Sequence, residues 1–528
     1  MLKKALLCLL LPTSLNLSCS LLFAPPAQAE VELDVGVVQR FGDETSDTLT
    51  LTPPSGQRLT VTFTGGDGEP ETLTTSSLTL EINQKPHNEP LLQEWVVLSD
   101  HATFETAEDS AKRWEERGIE TEVTQPGRWQ VWAKRDVYAT PTLRRKLVET
   151  LESEGETGVY LQSEVLESSP IVSFVIGNYR YNRTELEITS PNDRIYVTDG
   201  EDRLLFGGSL RIQPNAYGNY TLVNDVSLET YLRGVVPHEI GPNAPYNSVE
   251  AQTIIARTYA LRNVRRFEAD EYQLCATVHC QVYKGLTGTV ENADRAIEAT
   301  SGLVLTYENE LVDALYSAHN GGVTAFFEDI WNGEPRPYLQ AKVDGINPKW
   351  DIEENPLDDE ANFRRFIELQ EGFNGSDSVV FRWDRQSSVS ELTEDLNRYL
   401  DRIQHPLHPV GELVNLAVTE RSSSGRIRWF TVETDKGIIE LEKTEARSAF
   451  GPPRSTLFYI DPVLDSAGEV TAYRFVGGGF GHGVGLSQYS SYTLAKQGWR
   501  YDRILEFYYP GATVEPLTEE TIYYSEDN

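Results

Sequence analysis

Three clusters in the sequence carry residue types that could do chemistry. The first is Tyr231-Leu232-Arg233-Gly234-Val235-Val236-Pro237-His238-Glu239-Ile240, where one carboxyl follows an apolar run. On composition alone Glu239 is an ordinary solvated carboxylate. Shielded by Val235, Val236, Pro237 and Ile240, it would hold its proton more tightly, as a general acid must. The second cluster is Gly477-Gly478-Gly479-Phe480-Gly481-His482-Gly483-Val484-Gly485-Leu486-Ser487-Gln488-Tyr489. Its six glycines in nine positions allow close backbone approach to a ligand and positive φ angles. Flanked by Gly481 and Gly483, His482 is either a backbone-packed anchor or open to whatever binds. Ser487 and Gln488, at the expected start of a helix, suit hydrogen bonds to hydroxyl or N-acetyl groups, and Ser487 also suits a cap. A phosphate loop is excluded, since no Lys-Ser/Thr follows the glycines and no dinucleotide fingerprint surrounds them. The third cluster, Cys275-Ala276-Thr277-Val278-His279-Cys280, offers two alternatives: a small disulfide, or soft ligands for zinc in which Cys275, His279 and Cys280 take part. His319 is an additional ligand for the second alternative.

The elements that must position these groups follow from periodicity. A short amphipathic helix is expected to stop at Gly234, with Pro237 forcing an extended turn that leaves Glu239 on a loop. The next helix is expected to begin at Asn247 as N-cap, with Glu250 completing a capping box. Ala251, Ile254, Ile255, Thr258 and Leu261 form its buried face, and Gln252, Ala256 and Tyr259 align on a second face. Upstream, the order from residue 91 to 163 is βαββαβ. It comprises the strand Glu94 to Leu98, a helix through Phe104, Ala107, Ala111 and Trp114 that stops at Gly118, strands at 119–124 and 128–133, a helix with Thr140 as N-cap and Pro141 at N1, and a strand at 158–162. Alternating strands precede it (Leu59, Val61, Phe63) and follow it (Phe174 to Ile176, Ile195 to Val197, Leu210 to Ile212), so the flanking material reads as one domain with an insertion.

Charge and composition limit the ligand. The chain has 528 residues, 81 Asp plus Glu against 46 Lys plus Arg, and a formal charge of -35. Hydrophobic residues at 39% and aromatics at 10% exclude a disordered acidic chain. So acidic a surface repels phosphate backbones and anionic lipid, which excludes nucleic acid and leaves neutral or weakly charged glycans. Lys3 and Lys4, the apolar stretch from Ala5 to Phe23 and Ala27-Gln28-Ala29 form a secretory signal pattern over 1–29. No other run is long enough to span a membrane, so a soluble extracytoplasmic protein, in the periplasm or cell wall, is expected after cleavage.

Tyr231 to Glu239, Ala251-Gln252 through Ala256-Arg257-Thr258-Tyr259-Ala260, Cys280-Gln281-Val282-Tyr283, Gly321-Gly322-Val323-Thr324, Arg454-Ser455-Thr456 and Gly481-His482-Gly483-Val484-Gly485-Leu486-Ser487-Gln488 together resemble the SpoIID/LytB family. The resemblance implies a cell-wall role: lytic transglycosylase action on peptidoglycan glycan strands, with Glu239 as catalytic acid, or noncatalytic enhancement of a cell-wall amidase. It implies a substrate site that includes Gln252, Tyr259, Gly481, His482, Gly483, Ser487 and Gln488. No cofactor is required, and zinc at Cys275, His279 and Cys280 is a property of some family members. His238 departs from the family by standing where a small residue is usual. Residues 91–163 resemble the glycan-binding SPOR family in element order and length, with Trp95, Trp129 and Trp132 on the strands. The expected fold class is α+β: a β-rich SpoIID-type catalytic domain with an N-terminal ferredoxin-like module. The expected division is a signal peptide at 1–29, β-rich segments at 30–90 and 164–224 around the module at 91–163, a catalytic domain at 225–515 and an acidic tail at 516–528.

Overall fold

Leu59, Val61 and Phe63 are all buried on one face of a strand, as their alternation requires. That strand, in the computed structural model of the protein, belongs to a mixed α+β fold described for residues 31–525. The signal-peptide pattern lies outside the described residues. A seven-stranded sheet runs in the order Leu274–Cys275, Glu32–Phe41, Tyr220–Ser227, Ser209–Pro214, Leu186–Thr189, Leu59–Thr64 and Pro70–Thr75. Glu32–Phe41 pairs antiparallel with Tyr220–Ser227, Asp34 facing Asp225. Chain from both sides of residues 91–163 therefore shares one sheet. No helix among the described residues is long and apolar enough to cross a membrane.

Two long strands, Leu78–His101 and Tyr160–Ile176, carry the intervening segment as an antiparallel ribbon, paired from Thr79 with Val175 to Val97 with Tyr160. Within the segment the antiparallel strand order is Tyr160–Ile176, Leu78–His101, Trp129–Ala133, Thr121–Thr124. Helix α1 (Phe104–Glu116) buries Phe104, Ala107, Ala111 and Trp114, and Gly118 follows it at φ +82°. Helix α2 (Pro141–Ser153) starts as expected, Thr140 Oγ1 accepting the Leu143 N–H at 3.3 Å. Its apolar face is only half used, with Leu151 buried and Leu143 50% exposed. The strand tryptophans are core residues. Trp129 packs between Phe104 and Phe267, and Trp95 stacks on Trp132 at 4.9 Å, which in turn meets Tyr217.

Helix α3 (Leu228–Glu239) corrects the sequence expectation: it neither stops at Gly234 nor leaves Glu239 on a loop. Pro237 sits inside it: its missing N–H removes only the bond to the Arg233 carbonyl, Ile240 N–H still bonds the Val236 carbonyl, and Lys284 N–H reaches the Gly234 carbonyl from outside at 3.1 Å. Gly234 is needed for contact, since a Cβ there would lie 2.2 Å from the Gly285 carbonyl oxygen. Helix α4 (Tyr246–Arg262) also begins earlier than the capping box predicts, directly after Pro245. Asn247 lies in its first turn and donates to the Trp499 carbonyl at 2.7 Å instead of capping. Ala251, Ile254, Ile255, Thr258 and Leu261 are fully buried, and so are Gln252, Ala256 and Arg257, so α4 is a central core helix rather than an amphipathic one.

Ion pairs fasten the inserted segment to the chain after α4. Glu108 of α1 holds Arg265 at 2.6 Å, and Glu105 holds Arg266, which is 3% exposed. Arg266 also donates to the His279 carbonyl at 3.0 Å. Replacing Arg266 with Met would strand a largely buried carboxylate and an unpaired carbonyl, a loss of about 3 kcal/mol by the scale for broken buried pairs. A clearly lowered urea midpoint is expected. An unchanged midpoint would show that this clamp does not hold the segment.

Candidate active site

Glu239 ends α3, and a segment 43 residues later closes over it: Val282 N–H donates to Glu239 Oε1 at 2.7 Å. The Tyr316 hydroxyl acts on the carboxyl as well, favouring its ionised form. Its direction is set by a relay, in which Tyr231 Oη–H donates to Gln281 Oε1 at 3.2 Å and Gln281 Nε2–H donates to Tyr316 Oη at 3.0 Å, leaving the Tyr316 proton free to point at Glu239. Burial raises the Glu239 pKa above the ordinary carboxylate value, and the two donors offset that only in part. No charged side chain contributes to the shift. His238 turns away: it is exposed, and its Nε2–H donates to the Thr287 carbonyl at 2.9 Å.

Each donor has its own support. The loop before Val282 is closed by a disulfide between Cys275 and Cys280 and tied through the His279 carbonyl to Arg266. Closing so short a loop is worth about 2 kcal/mol in the chain-entropy picture. With both sulfurs in the bridge no thiolate is left for a metal, so this state does not fit zinc. His319, the additional ligand considered, is buried and has both ring nitrogens engaged, Nδ1 by Gly321 N–H at 2.9 Å and Nε2 with the Gly375 carbonyl at 3.0 Å.

Tyr316 is placed by the glycine cluster. Tyr316–Ser317 pairs in parallel with Leu486–Ser487. His482 Nδ1 accepts Val484 N–H at 3.1 Å, so Nε2 carries the proton and donates to the Tyr316 carbonyl at 2.8 Å. Burial lowers the His482 pKa to about 3, which keeps the ring neutral in this anchoring role. The glycines meet protein rather than open space. At Gly485 (φ +67°) a Cβ would lie 2.1 Å from the Leu315 carbonyl oxygen, and at Gly483 (φ +80°) 2.2 Å from the Arg426 guanidinium. Gly481 similarly faces the Ser317 side chain.

The remaining predicted site residues form the wall behind the acid. Gln488 Nε2 donates to the Glu239 carbonyl at 3.1 Å and to Gln252 Oε1 at 3.2 Å, with Gln252 fully buried. Ser487 does not cap its helix. It is buried, donates to Ser490 Oγ at 2.8 Å and accepts from Asn320 N–H. Tyr259 is buried beside Tyr316, ring centroids 6.5 Å apart. Arg257 pairs with both oxygens of Glu229 at 2.8 Å, a structural ion pair. Tyr316 is the group that sequence reasoning missed. Gln281 and Val282 belong to the Cys280-Gln281-Val282-Tyr283 motif, which does not reveal that Val282 reaches Glu239 or that Gln281 reaches Tyr316.

A single carboxyl held by an N–H and an O–H can donate a proton and then be stabilised as the anion, which is acid followed by base chemistry. Residues 216–307, which include Glu239, the disulfide and Val282, match the family described as Stage II sporulation protein. Residues 325–485, which include most of the glycine cluster, match a domain of unknown function, DUF8618. The chain is 27% identical to the Amidase enhancer of Bacillus subtilis (strain 168) over 61% of its own length and 51% of the relative's, so it spans about half of that protein. It is 24% identical to Stage II sporulation protein D of the same organism, over 55% of this chain and 75% of the relative. An uncharacterized protein of Brachyspira hyodysenteriae is 24% identical over 56% of this chain and 68% of its own. These matches support the SpoIID/LytB family.

The raised pKa fixes a stability signature. The folded protein binds the Glu239 proton more tightly than the unfolded chain does. Above the unfolded-state pKa the ionised carboxyl therefore costs stability, and below it that cost is absent. Glu239→Gln should melt at a higher temperature than wild type at about pH 7, with the difference closing by about pH 4, near the unfolded value of a glutamate. A variant that melts lower at neutral pH would show that the carboxyl is not held against its ionisation.

Proposed function

We propose that the protein cleaves peptidoglycan glycan strands freed of their stem peptides, as a lytic transglycosylase with Glu239 as acid and then base. The observation that carries this reading is the half-buried Glu239 carboxyl, its pKa raised by burial, with the Val282 N–H on one oxygen and no charged side chain among the causes of the shift. Glycosidases that hydrolyse by the usual route place two carboxyl groups about 5 to 9.5 Å apart across the bond. One suffices for transglycosylation. Glu239 gives its proton to the glycosidic oxygen as the bond from that oxygen to C1 breaks. The resulting carboxylate, held by Val282 N–H and Tyr316 O–H, then takes the proton of the sugar's own C6 hydroxyl as O6 bonds to C1. The product ends in a 1,6-anhydro ring, and no water is consumed.

The strand order of residues 91–163 supports a ferredoxin-like, SPOR-like module, whose tryptophans build its core and leave any glycan contact to other side chains. The Cys275–Cys280 bridge and the signal-peptide pattern support action outside the cytoplasm. A second reading, noncatalytic enhancement of a cell-wall amidase, is favoured by the name of one relative, Amidase enhancer. The two readings differ over Glu239. Glu239→Gln keeps shape and hydrogen bonding but cannot cycle a proton, so anhydro-ended fragments from denuded glycan should fall by about 10² or more. Release at the wild-type rate would remove Glu239 from the reaction and favour the enhancer reading.

A further inference from the structure

The turn from Phe327 to Trp331 separates two environments. On one side the Trp331 ring packs on His482, centroids 5.0 Å apart, and so backs the glycine cluster. On the other, Glu328 lines a surface cavity of about 270 Å³ together with Glu420, Arg428, Trp429, Glu442 and Lys443. Neither Glu239 nor Tyr316 lines it. Most of the lining comes from the sheet Leu413–Arg421, Ile427–Thr434 and Gly437–Glu442, inside the DUF8618 match. Trp429 on the middle strand stands opposite Glu420 on one neighbour and Glu442 on the other, so the pleat presents all three on one face. One pleat further along, Thr431 donates to Glu440 on that same face at 2.8 Å.

The chemistry of this cavity is specific. Trp429 is 39% exposed, an indole face available for stacking and bounded by polar groups. The charges are largely balanced among themselves: Arg428 lies 3.8 Å from Glu420 and 3.6 Å from Asp329, and Lys443 lies 3.6 Å from Glu442 and donates to the Trp331 carbonyl at 3.0 Å. One Glu328 carboxyl oxygen is out of solvent with no hydrogen-bond partner among the described residues. That oxygen has no accessible surface, so a ligand in the cavity would meet the other carboxyl oxygen of Glu328. A pyranose ring supplies both halves, with C–H groups for the indole and hydroxyl or amide donors for the carboxylates. The volume, at the low end for small-molecule sites, suits one ring rather than a chain segment.

We propose that this cavity binds one N-acetylhexosamine unit of an amino-sugar glycan, stacked on Trp429 and hydrogen-bonded by Glu328, Glu420 and Glu442. The inference rests on the reading that the substrate is glycan. It adds a second contact away from Glu239, which would raise the affinity for long strands by tethering. The test uses the full-length protein labelled at its nine tryptophans, whose indole N–H signals are followed while triacetylchitotriose is added. The signal that disappears in Trp429→Phe identifies Trp429, and it should shift with sugar. Calorimetry should show Trp429→Ala binding about tenfold more weakly, the scale of losing one aromatic anchor, with Trp429→Phe largely retaining affinity. An unmoved Trp429 signal at saturating sugar, wild-type affinity in Trp429→Ala, or displacement of the sugar by a lysine-rich peptide in a salt-sensitive manner would each overturn the proposal. Anhydro-product release is scored separately. Glycan cleavage that survives Glu239→Gln while Trp429 still responds to sugar sinks only the catalytic reading, whereas an unresponsive Trp429 beside intact Glu239-dependent cleavage sinks only the cavity.

Discussion

A half-buried carboxyl with no cation beside it is the constraint on which the rest of the site depends. Burial raises the Glu239 pKa and so favours the protonated acid. The Val282 N–H and the Tyr316 hydroxyl moderate that effect without supplying charge, so both protonation states stay within reach. Both donors are neutral and fixed, and each comes from a different stretch of chain. The architecture around Glu239 is largely an arrangement for delivering those two groups.

Val282 is delivered by a short disulfide-closed loop, whose His279 carbonyl is gripped by Arg266 and, through Arg266, by Glu105 of the inserted segment. The insertion is thus mechanically continuous with one side of the acid. Tyr316 is delivered by the glycine cluster, which lies so close to the Leu315 carbonyl just before the strand Tyr316–Ser317 and to Arg426 that side chains at Gly483 and Gly485 have no room. His482 completes that arm as a neutral backbone clamp. Gln252 and Gln488 fix the main chain of Glu239 from behind. Residues far apart in sequence therefore act on one carboxyl through backbone groups as often as through side chains.

Backbone roles explain what was and was not legible in the sequence. Strand alternation, the Thr140-Pro141 helix start and the Gly118 stop are local signals, and the structure contains each of them. The helix through Pro237 and the early start of α4 are not local: the Gly234 carbonyl is satisfied by Lys284, and Asn247 is diverted to Trp499, partners that no window around either residue reveals. The motifs include several residues that the structure gathers around Glu239, namely Gln252, Val282 and Gln488. They could not show that His482 and the glycines serve the Tyr316 strand, because a glycine needed for ligand approach and one needed for chain approach have the same sequence signature. Tyr316 carried no signal at all, since its role comes from a relay through Gln281 that exists only once three segments meet.

In the proposed reaction one carboxyl breaks a glycosidic bond without water. Denuded glycan strands incubated with the wild-type protein in heavy-oxygen water, followed by mass analysis of the fragments, test it directly. Fragments ending in 1,6-anhydro sugar, one water lighter than hydrolysis products and free of solvent oxygen, are expected. Reducing ends that carry one heavy oxygen, or glycan left intact, would contradict it.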